Sequence, residues 1–150
     1  MREWVTGGDI HKDNLQAICD GVIEHGRALS EARGGRAQPI ACLVMENGQL
    51  VGGATGRTEF RRLFVSYLWV DAQRRGMGLG AEALHRLEAL AVERGCVDAL
   101  IETLDDDVAE WYSRCGYQVI AHVPQYCGPW SRHTLLKTLD GAHGNAADEQ

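Results

Sequence analysis

Glycines and arginines concentrate in segment 73–80 (QRRGMGLG), between a predicted buried strand and the first turn of a predicted helix. A helix N-terminus presents unpaired N–H groups and the positive end of the helix dipole. Glycines let a ligand approach the backbone closely, and the arginines add positive charge. The segment therefore predicts a site for a phosphate or diphosphate group, although a solvated glycine turn would have the same composition.

Two familiar phosphate-binding motifs can be tested against these glycines. A P-loop is excluded, because no Lys-Ser or Lys-Thr follows them. Segment 78–83 (GLGAEA) does fit the loose dinucleotide-binding form GxGxxA, with Glu102 at about the 20-residue distance that this motif requires. Against it, the polar segment 71–75 separates the glycines from the strand, and the chain is short for a doubly wound sheet. The dinucleotide reading stays open but disfavoured.

The first half of the chain predicts one helix and three strands. Apolar residues at near-helical spacing in 13–31 predict a helix, broken or in two pieces because two glycines interrupt it. Segment 40–45 (IACLVM) predicts a strand, and Asn47-Gly48 predicts a hairpin into the following run. Segment 63–70 (LFVSYLWV) is rich in β-branched and aromatic residues, which predicts a central strand buried on both faces.

The second half predicts a parallel crossover followed by a short helix and two strands. Segment 79–94 has one apolar stripe and predicts the longest uninterrupted helix, followed by a strand over 97–104. Asp107 and Glu110 have the form of a capping box, which predicts a short helix that ends at Gly116. Strands are expected at 117–123 and 133–139, separated by a loop over 124–130, and we expect a single domain over 1–139 with a flexible tail at 140–150.

Composition narrows the functional classes. The 150 residues are 45% hydrophobic and 24% charged, as in ordinary globular domains. No apolar run reaches the roughly 18 residues that a membrane span needs, and the N-terminus resembles no signal peptide, so we expect a cytoplasmic protein. The net charge of −6 disfavours nucleic acid and anionic membranes as partners. The five widely spaced cysteines contain no CxxC pair, so neither a metal site nor a disulfide framework is expected.

Two segments carry a family resemblance. Segment 75–80 (RGMGLG) resembles the [Q/R]-x-x-G-x-[G/A] acetyl-CoA signature of the GNAT superfamily of N-acetyltransferases, and 110–120 (EWYSRCGYQVI) resembles its FYxxxGF segment. The order of elements over 36–139 also fits that superfamily. The resemblance implies an α/β fold in which helices flank a mixed central β-sheet. In that fold the sheet splays apart, and the pantetheine arm of acetyl-CoA lies in the cleft.

The resemblance also implies site residues. Tyr112 matches the family tyrosine that protonates the departing thiolate, and a phenol with its ordinary pKa near 10 is protonated at pH 7. Residues 105–107 (DDD) depart from the family, since many relatives carry there an Asn that touches the cofactor arm. The cofactor-binding residues carried over are Leu68, Trp69 and Val70 for the pantetheine arm, with Arg75, Gly76, Met77, Gly78, Leu79 and Gly80 for the pyrophosphate.

The general base and the acceptor are less defined. Glu59 and Glu102 are both candidates to take a proton from the amine, directly or through water, and each could equally be a solvated carboxylate. A covalent route through Cys115 is an alternative to direct attack.

We expect an N-acetyltransferase that uses acetyl-CoA and no metal. Its acceptor is expected to be a primary amine of a small cationic molecule, such as a polyamine, an amino-acid derivative or an aminoglycoside-like antibiotic. Three alternatives remain: a protein N-terminal or lysine acetyltransferase, a non-catalytic acyl-CoA sensor, and a NAD-binding domain. A homodimer formed through the late strands is a further expectation.

Overall fold

The computed structural model describes residues 1–139, so the predicted tail at 140–150 lies outside the described residues. The chain forms two units, one over residues 1–36 and one that begins at Ala37. The single domain expected over 1–139 stays a prediction. No helix within residues 1–139 is long and apolar enough to cross a bilayer.

The first unit contains one helix, α1 (Lys12–Ala32), none of whose residues is buried. The helix is continuous, so the predicted break is wrong. Gly21 and Gly26 both lie inside it. A glycine within a helix costs only about 1 kcal/mol relative to alanine, which the surrounding helix-forming residues offset. At the start, the Nδ1 atom of His11 accepts a hydrogen bond from the N–H of Asp13 at 3.2 Å and caps the helix.

The second unit is built on a six-stranded mixed sheet, which confirms the predicted fold class. Its strand order is β1-β2-β3-β4-β6-β5. Only β3 and β4 pair in parallel, whereas every other neighbouring pair is antiparallel. This topology is not the parallel doubly wound sheet that the dinucleotide reading requires. The strands are β1 (Gln38–Glu46), β2 (Gln49–Glu59), β3 (Arg62–Val70), β4 (Asp98–Thr103), β5 (Gln118–Cys127) and β6 (Trp130–Thr138).

Two helices of the second unit confirm the predicted pattern. Helix α2 (Leu79–Glu93) connects β3 to β4, and α3 (Asp106–Arg114) follows β4. The cap of α3 differs from the prediction, because Asp105, not Asp107, is the N-cap residue. Its carboxylate accepts hydrogen bonds from the N–H groups of Asp107 at 2.9 Å and Val108 at 3.1 Å. Asp105 has the extended backbone that a cap needs, whereas Asp107 is already helical.

The core of the second unit lies between the sheet and one layer of helices. Ala99 and Ile101, which share one side of β4, are buried in the same apolar cluster as Leu87 of α2 and Ala109 of α3. Both helices therefore cover the same face. The prediction that β3 is buried on both faces is wrong, since the Tyr67 side chain on that strand is 78% exposed. Its apolar pattern reflects β-propensity more than burial.

The two hairpin regions give one confirmed prediction and one correction. Asn47 and Gly48 both have positive φ, 49° and 78°, as the predicted two-residue turn between β1 and β2 requires. The predicted loop over 124–130 is shorter in the structure, because β5 continues to Cys127. Pro124 is tolerated there because β5 forms an edge of the sheet, where a missing N–H need not break a pairing.

Candidate active site

Strands β3 and β4 separate partway along the sheet, as the resemblance predicts. They pair only where residues 62–64 of β3 lie beside residues 98–100 of β4. Beyond Phe64, β3 runs on to Val70 without pairing to β4, while β4 stays paired to β6. The side of β3 that faces β4 thus carries backbone donors and acceptors without a strand partner. Such an edge can bind an extended ligand that contains amides.

A β-bulge lies on β3 where the strands separate. Thr55 of β2 is opposite Tyr67, whereas the next residue, Gly56, is opposite Val65, so Ser66 is the extra residue on β3. A bulge of this kind bends the strand and increases its local twist. The bulge therefore contributes to turning β3 away from β4 at the head of the cleft.

Segment 73–80, the predicted phosphate segment, forms the turn from β3 into α2. A short 3-10 turn over Ala72–Arg74 leads into Gly76 and Gly78, whose φ angles are 80° and 79°. Gly78 is the N-cap of α2, and its carbonyl accepts the N–H of Glu82 at 3.1 Å. The N–H groups of the first helical turn have no partner within the helix. They are donors for an anion, supported by the helix dipole.

The two arginines of the segment have different partners. The guanidinium of Arg74 donates to the carboxylate of Glu46 at 2.5 Å and to that of Asp71 at 2.8 Å. Arg75 donates its Nε–H to the carbonyl of Val70 at 3.1 Å and forms no ion pair within residues 1–139. The charge of Arg74 is therefore balanced by carboxylates, and Arg75 is the arginine with charge available for a phosphate.

Helix α3 supplies the opposite wall of the site. Val108, Trp111 and Tyr112 lie three and four residues apart and so share one helix face. The Trp111 ring packs over the first turn of α2, only 3.7 Å from where a Cβ on Gly80 would lie. Sequence reasoning assigned no site role to Val108 or Trp111, although their helical spacing with Tyr112 was a usable signal.

These elements enclose one pocket of about 350 Å³. Met77 is the one predicted cofactor residue that does not line it, and its side chain is 68% exposed. Arg74, Ala81, Val108 and Trp111 also line the pocket. The predicted residues that the structure does bring together around it are Leu68, Trp69, Val70, Arg75, Gly76, Gly78, Leu79, Gly80 and Tyr112.

Tyr112 lines this pocket with its side chain largely buried, at 7% exposure. Its ring makes edge contacts with Trp111 and Tyr117, at centroid distances of 5.2 and 5.9 Å. Its hydroxyl forms no hydrogen bond to any residue within 1–139, and the hydroxyl oxygen is not fully buried. Burial, with a smaller contribution from Cys115, raises the pKa of Tyr112. The phenol is therefore a neutral donor on a residue that lines the pocket.

The two candidate carboxylates lie outside the pocket lining. Glu102, on β4, forms an ion pair with Arg132 of β6, whose guanidinium lies 5.3 Å from the centre of the Tyr126 ring. Glu59 lies at the hairpin between β2 and β3, with its carboxylate 3.6 Å from the Arg57 guanidinium. At about 3.3 Å per residue, β3 separates Glu59 from the phosphate segment by roughly 25 Å. The structure brings neither carboxylate together with Tyr112.

The acidic run at 105–107 has partners within the fold. Asp105 caps α3, and Asp106 lies 2.7 Å from the Nε2 atom of His133 on β6. Within residues 1–139, no group of three or more His, Cys, Asp or Glu side chains is placed to hold a metal ion.

Comparisons with known proteins show what this chain is similar to in sequence. Residues 13–117 match the family described as "Acetyltransferase (GNAT) family". The chain is 41% identical over 130 residues to the protein named blasticidin-S acetyltransferase of Streptomyces morookaense. That match covers 83% of this chain and 96% of the relative.

Solved structures share the fold. An acetyltransferase from Bacillus cereus superposes with a TM-score of 0.76 at 26% identity, over 91% of this chain and 98% of that one. An aminoglycoside 6'-N-acetyltransferase complexed with coenzyme A superposes with a TM-score of 0.59 at 21% identity. That second match covers 67% of this chain and 73% of the other.

Proposed function

The chain belongs to the GNAT acetyltransferase family and is an N-acetyltransferase, and we propose that it moves the acetyl group of acetyl-CoA to a primary amine of a small cationic molecule. The single observation that carries this proposal is the pocket between α2 and α3, which brings the phosphate segment and Tyr112 together beside the unpaired edge of β3. Direct attack by the amine needs no covalent intermediate on the protein.

The pocket residues fit the chemical parts of acetyl-CoA. The N-terminus of α2 and Arg75 offer donors and positive charge for the pyrophosphate. Leu68, Trp69 and Val70 lie on the stretch of β3 that has β2 on one side and no strand on the other, and this free side matches the amides of the pantetheine arm. Acetyl-CoA supplies an activated acetyl group as a thioester, and the products are an acetylated amine and the CoA thiol.

Two proton movements complete the reaction. We assign the proton that the departing sulfur takes up to Tyr112, because this residue lines the pocket and its hydroxyl is protonated at neutral pH. The attacking amine must lose a proton. Of the two candidate carboxylates, Glu102 is better placed to receive it through water, since it lies toward the end of β4, past the point where β3 and β4 separate. Glu59 lies at the opposite end of β3.

The acceptor class rests on two observations. A relative named blasticidin-S acetyltransferase is similar over 96% of its own length, which supports a small antibiotic amine. The net charge of −6, with the acidic run 105–107 where β4 leads into α3, favours a cationic acceptor over an anionic one.

Location and assembly are further parts of the proposal. All five cysteines are free thiols, which favours a reducing, cytoplasmic setting. Every residue of the edge strand β5 is exposed, which supports its pairing with a second copy in a homodimer.

Thermal unfolding tests the cofactor assignment. At about 100 times its Kd, a ligand stabilises the folded state by about 2.7 kcal/mol, so we expect acetyl-CoA to raise Tm by several degrees and NAD to leave it unchanged. Arg75→Gln should reduce the shift, because it removes the available charge in the pocket. The matched control Arg86→Gln, an exposed arginine on α2, should keep it. A shift with NAD and none with acetyl-CoA would contradict the assignment.

A further inference from the structure

A largely buried cluster joins Glu88 of α2, Lys137 of β6 and Tyr117, which lies three residues after the end of α3. Glu88 of α2 is only 5% exposed. It accepts a hydrogen bond from the Tyr117 hydroxyl at 2.6 Å and another from the Lys137 ammonium at 2.8 Å. Tyr117 is 3% exposed, and the Lys137 ammonium lies 5.6 Å from the centre of its ring. Charges are rarely buried so deeply, and here each one is paired and hydrogen-bonded.

This cluster is not part of the pocket lining, and the reaction described above assigns it no role. Its members come from distant parts of the sequence, since 29 residues separate Glu88 from Tyr117 and 49 separate it from Lys137. An apolar trio of similar volume would fill the same core without desolvating charges. What the charged cluster adds is a fixed direction for the Tyr117 side chain, because its hydroxyl donates to Oε2 of a carboxylate whose other oxygen, Oε1, is held by Lys137.

Tyr117 is joined to Tyr112 by the end of α3. The N–H of Tyr117 donates to the carbonyl of Tyr112 at 3.1 Å, and the N–H of Gly116 donates to the carbonyl of Ser113 at 3.1 Å. With Gly116 at φ 98°, these two bonds form a Schellman motif. The rings of Tyr112 and Tyr117 also meet edge to face, with centroids 5.9 Å apart. Tyr117 therefore contacts both the backbone and the ring of Tyr112.

We propose that Tyr117, oriented by Glu88 and Lys137, is a positioning residue that fixes the Tyr112 hydroxyl in the pocket. The chain of contacts runs from Glu88 on α2, the helix that follows the phosphate segment, to Tyr117 and then to Tyr112. Within the core, these contacts connect α2 with the end of α3, the two helices that line the pocket. This inference rests on the proposed role of Tyr112 as proton donor.

Tyr117→Phe is the direct test, because it removes one hydroxyl and keeps the ring. A small displacement of a reacting group lowers the rate of chemistry strongly, so we expect kcat to fall roughly five- to tenfold. The KM and Kd for acetyl-CoA should stay within about twofold, because the ligand-binding backbone is untouched. The matched control is Ser113→Ala, which deletes a hydroxyl that donates a hydrogen bond to the backbone carbonyl of Ala109 on the same helix. This variant should leave kcat unchanged.

A double-variant cycle separates positioning from general stabilisation. If Tyr117 acts through Tyr112, Tyr117→Phe should lower kcat in the wild-type background and have no further effect in a Tyr112→Phe background. Equal effects in both backgrounds would overturn the inference, as would a wild-type kcat in Tyr117→Phe. If Tyr117→Phe does not fold, Glu88→Gln replaces it, since an amide oxygen still accepts the hydroxyl more weakly. Glu88→Gln should then give a smaller fall in kcat with the same dependence on Tyr112, and an unchanged kcat would overturn the inference.

The cycle also distinguishes this inference from the function on which it rests. An unchanged kcat in Tyr112→Phe alone would remove Tyr112 from the reaction, and the positioning role would fall with it. A reduced kcat in Tyr112→Phe with a wild-type kcat in Tyr117→Phe would overturn the positioning role only.

Discussion

Tyr112→Phe is expected to lower kcat by roughly 100-fold, the lower end of the range for loss of a positioned proton donor. The variant keeps the ring and its contacts with Trp111 and Tyr117, so it removes only the hydroxyl of this pocket-lining residue. Without that hydroxyl, the sulfur must depart as an unprotonated thiolate or take its proton from water. Steady-state kinetics with saturating acetyl-CoA and acceptor measure the effect.

Two internal controls accompany this variant. Its Kd for acetyl-CoA and its Tm should match those of the wild type, because neither the phosphate segment nor the core changes. In the wild type, burial raises the pKa of Tyr112 above its ordinary value near 10, so any loss of kcat through ionisation of this group should occur at a higher pH than for an exposed phenol. A kcat in Tyr112→Phe equal to that of the wild type would contradict the assigned role.

Gly56→Ala is expected to destabilise the protein by roughly 2–4 kcal/mol, through overpacking and backbone displacement. A Cβ at this position would lie 2.2 Å from the carbonyl oxygen of Phe64, and backbone atoms cannot rotate away as a flexible side chain can. Gly56 is also where the register shifts opposite Ser66, so relief of the clash would disturb the bulge on β3. Urea denaturation should show a lower midpoint.

The matched control is Gly21→Ala, the same change inside α1, where a Cβ would meet nothing within 4 Å. Alanine is favoured over glycine in a helix by up to about 1 kcal/mol, so this variant should be as stable as the wild type or more stable. A Gly56→Ala variant with the wild-type midpoint would contradict the close packing of β2 against β3.

The parts of the fold that could be predicted from sequence are those fixed by local chemistry. Asn47-Gly48 predicts its hairpin because that turn needs two residues with positive φ. Helix α2 is predicted because its apolar stripe is long and uninterrupted. The position of segment 73–80 between a strand and a helix is predicted from its glycines, while its phosphate ligand stays a prediction. In each case neighbouring residues carry the whole signal.

The wrong predictions arose where packing decides between local options. Gly21 and Gly26 predicted a broken helix, but the cost of a glycine is too small to interrupt α1. Asp105 and Asp107 are both reasonable caps, and the backbone after β4 selects Asp105. Pro124 predicted a loop, yet at the sheet edge β5 accommodates it.

The remaining features depend on the tertiary structure and leave no trace in a single sequence. The extra residue at Ser66 depends on how β3 pairs with β2, and the Glu88–Tyr117–Lys137 cluster joins segments that lie far apart in the chain. The sequence also does not show that Arg74 is paired with a carboxylate while Arg75 is not, since Glu46 lies 28 residues before Arg74. The sequence alone gives no reason to prefer Glu59 or Glu102 as the base, and the distance of Glu59 from the phosphate segment depends on the length of β3.

The most direct test of the account is mass spectrometry of a reaction that contains the purified full chain, acetyl-CoA and a pooled set of small amines. The pool should include blasticidin S, aminoglycosides, polyamines and amino-acid derivatives, with lysine-bearing peptides as competitors and a reaction without enzyme as control. We predict that one cationic small amine gains a single acetyl group as CoA is released, and that Tyr112→Phe slows this strongly. Acetylation of the peptides alone, or no acetylated product from any amine, would contradict the account.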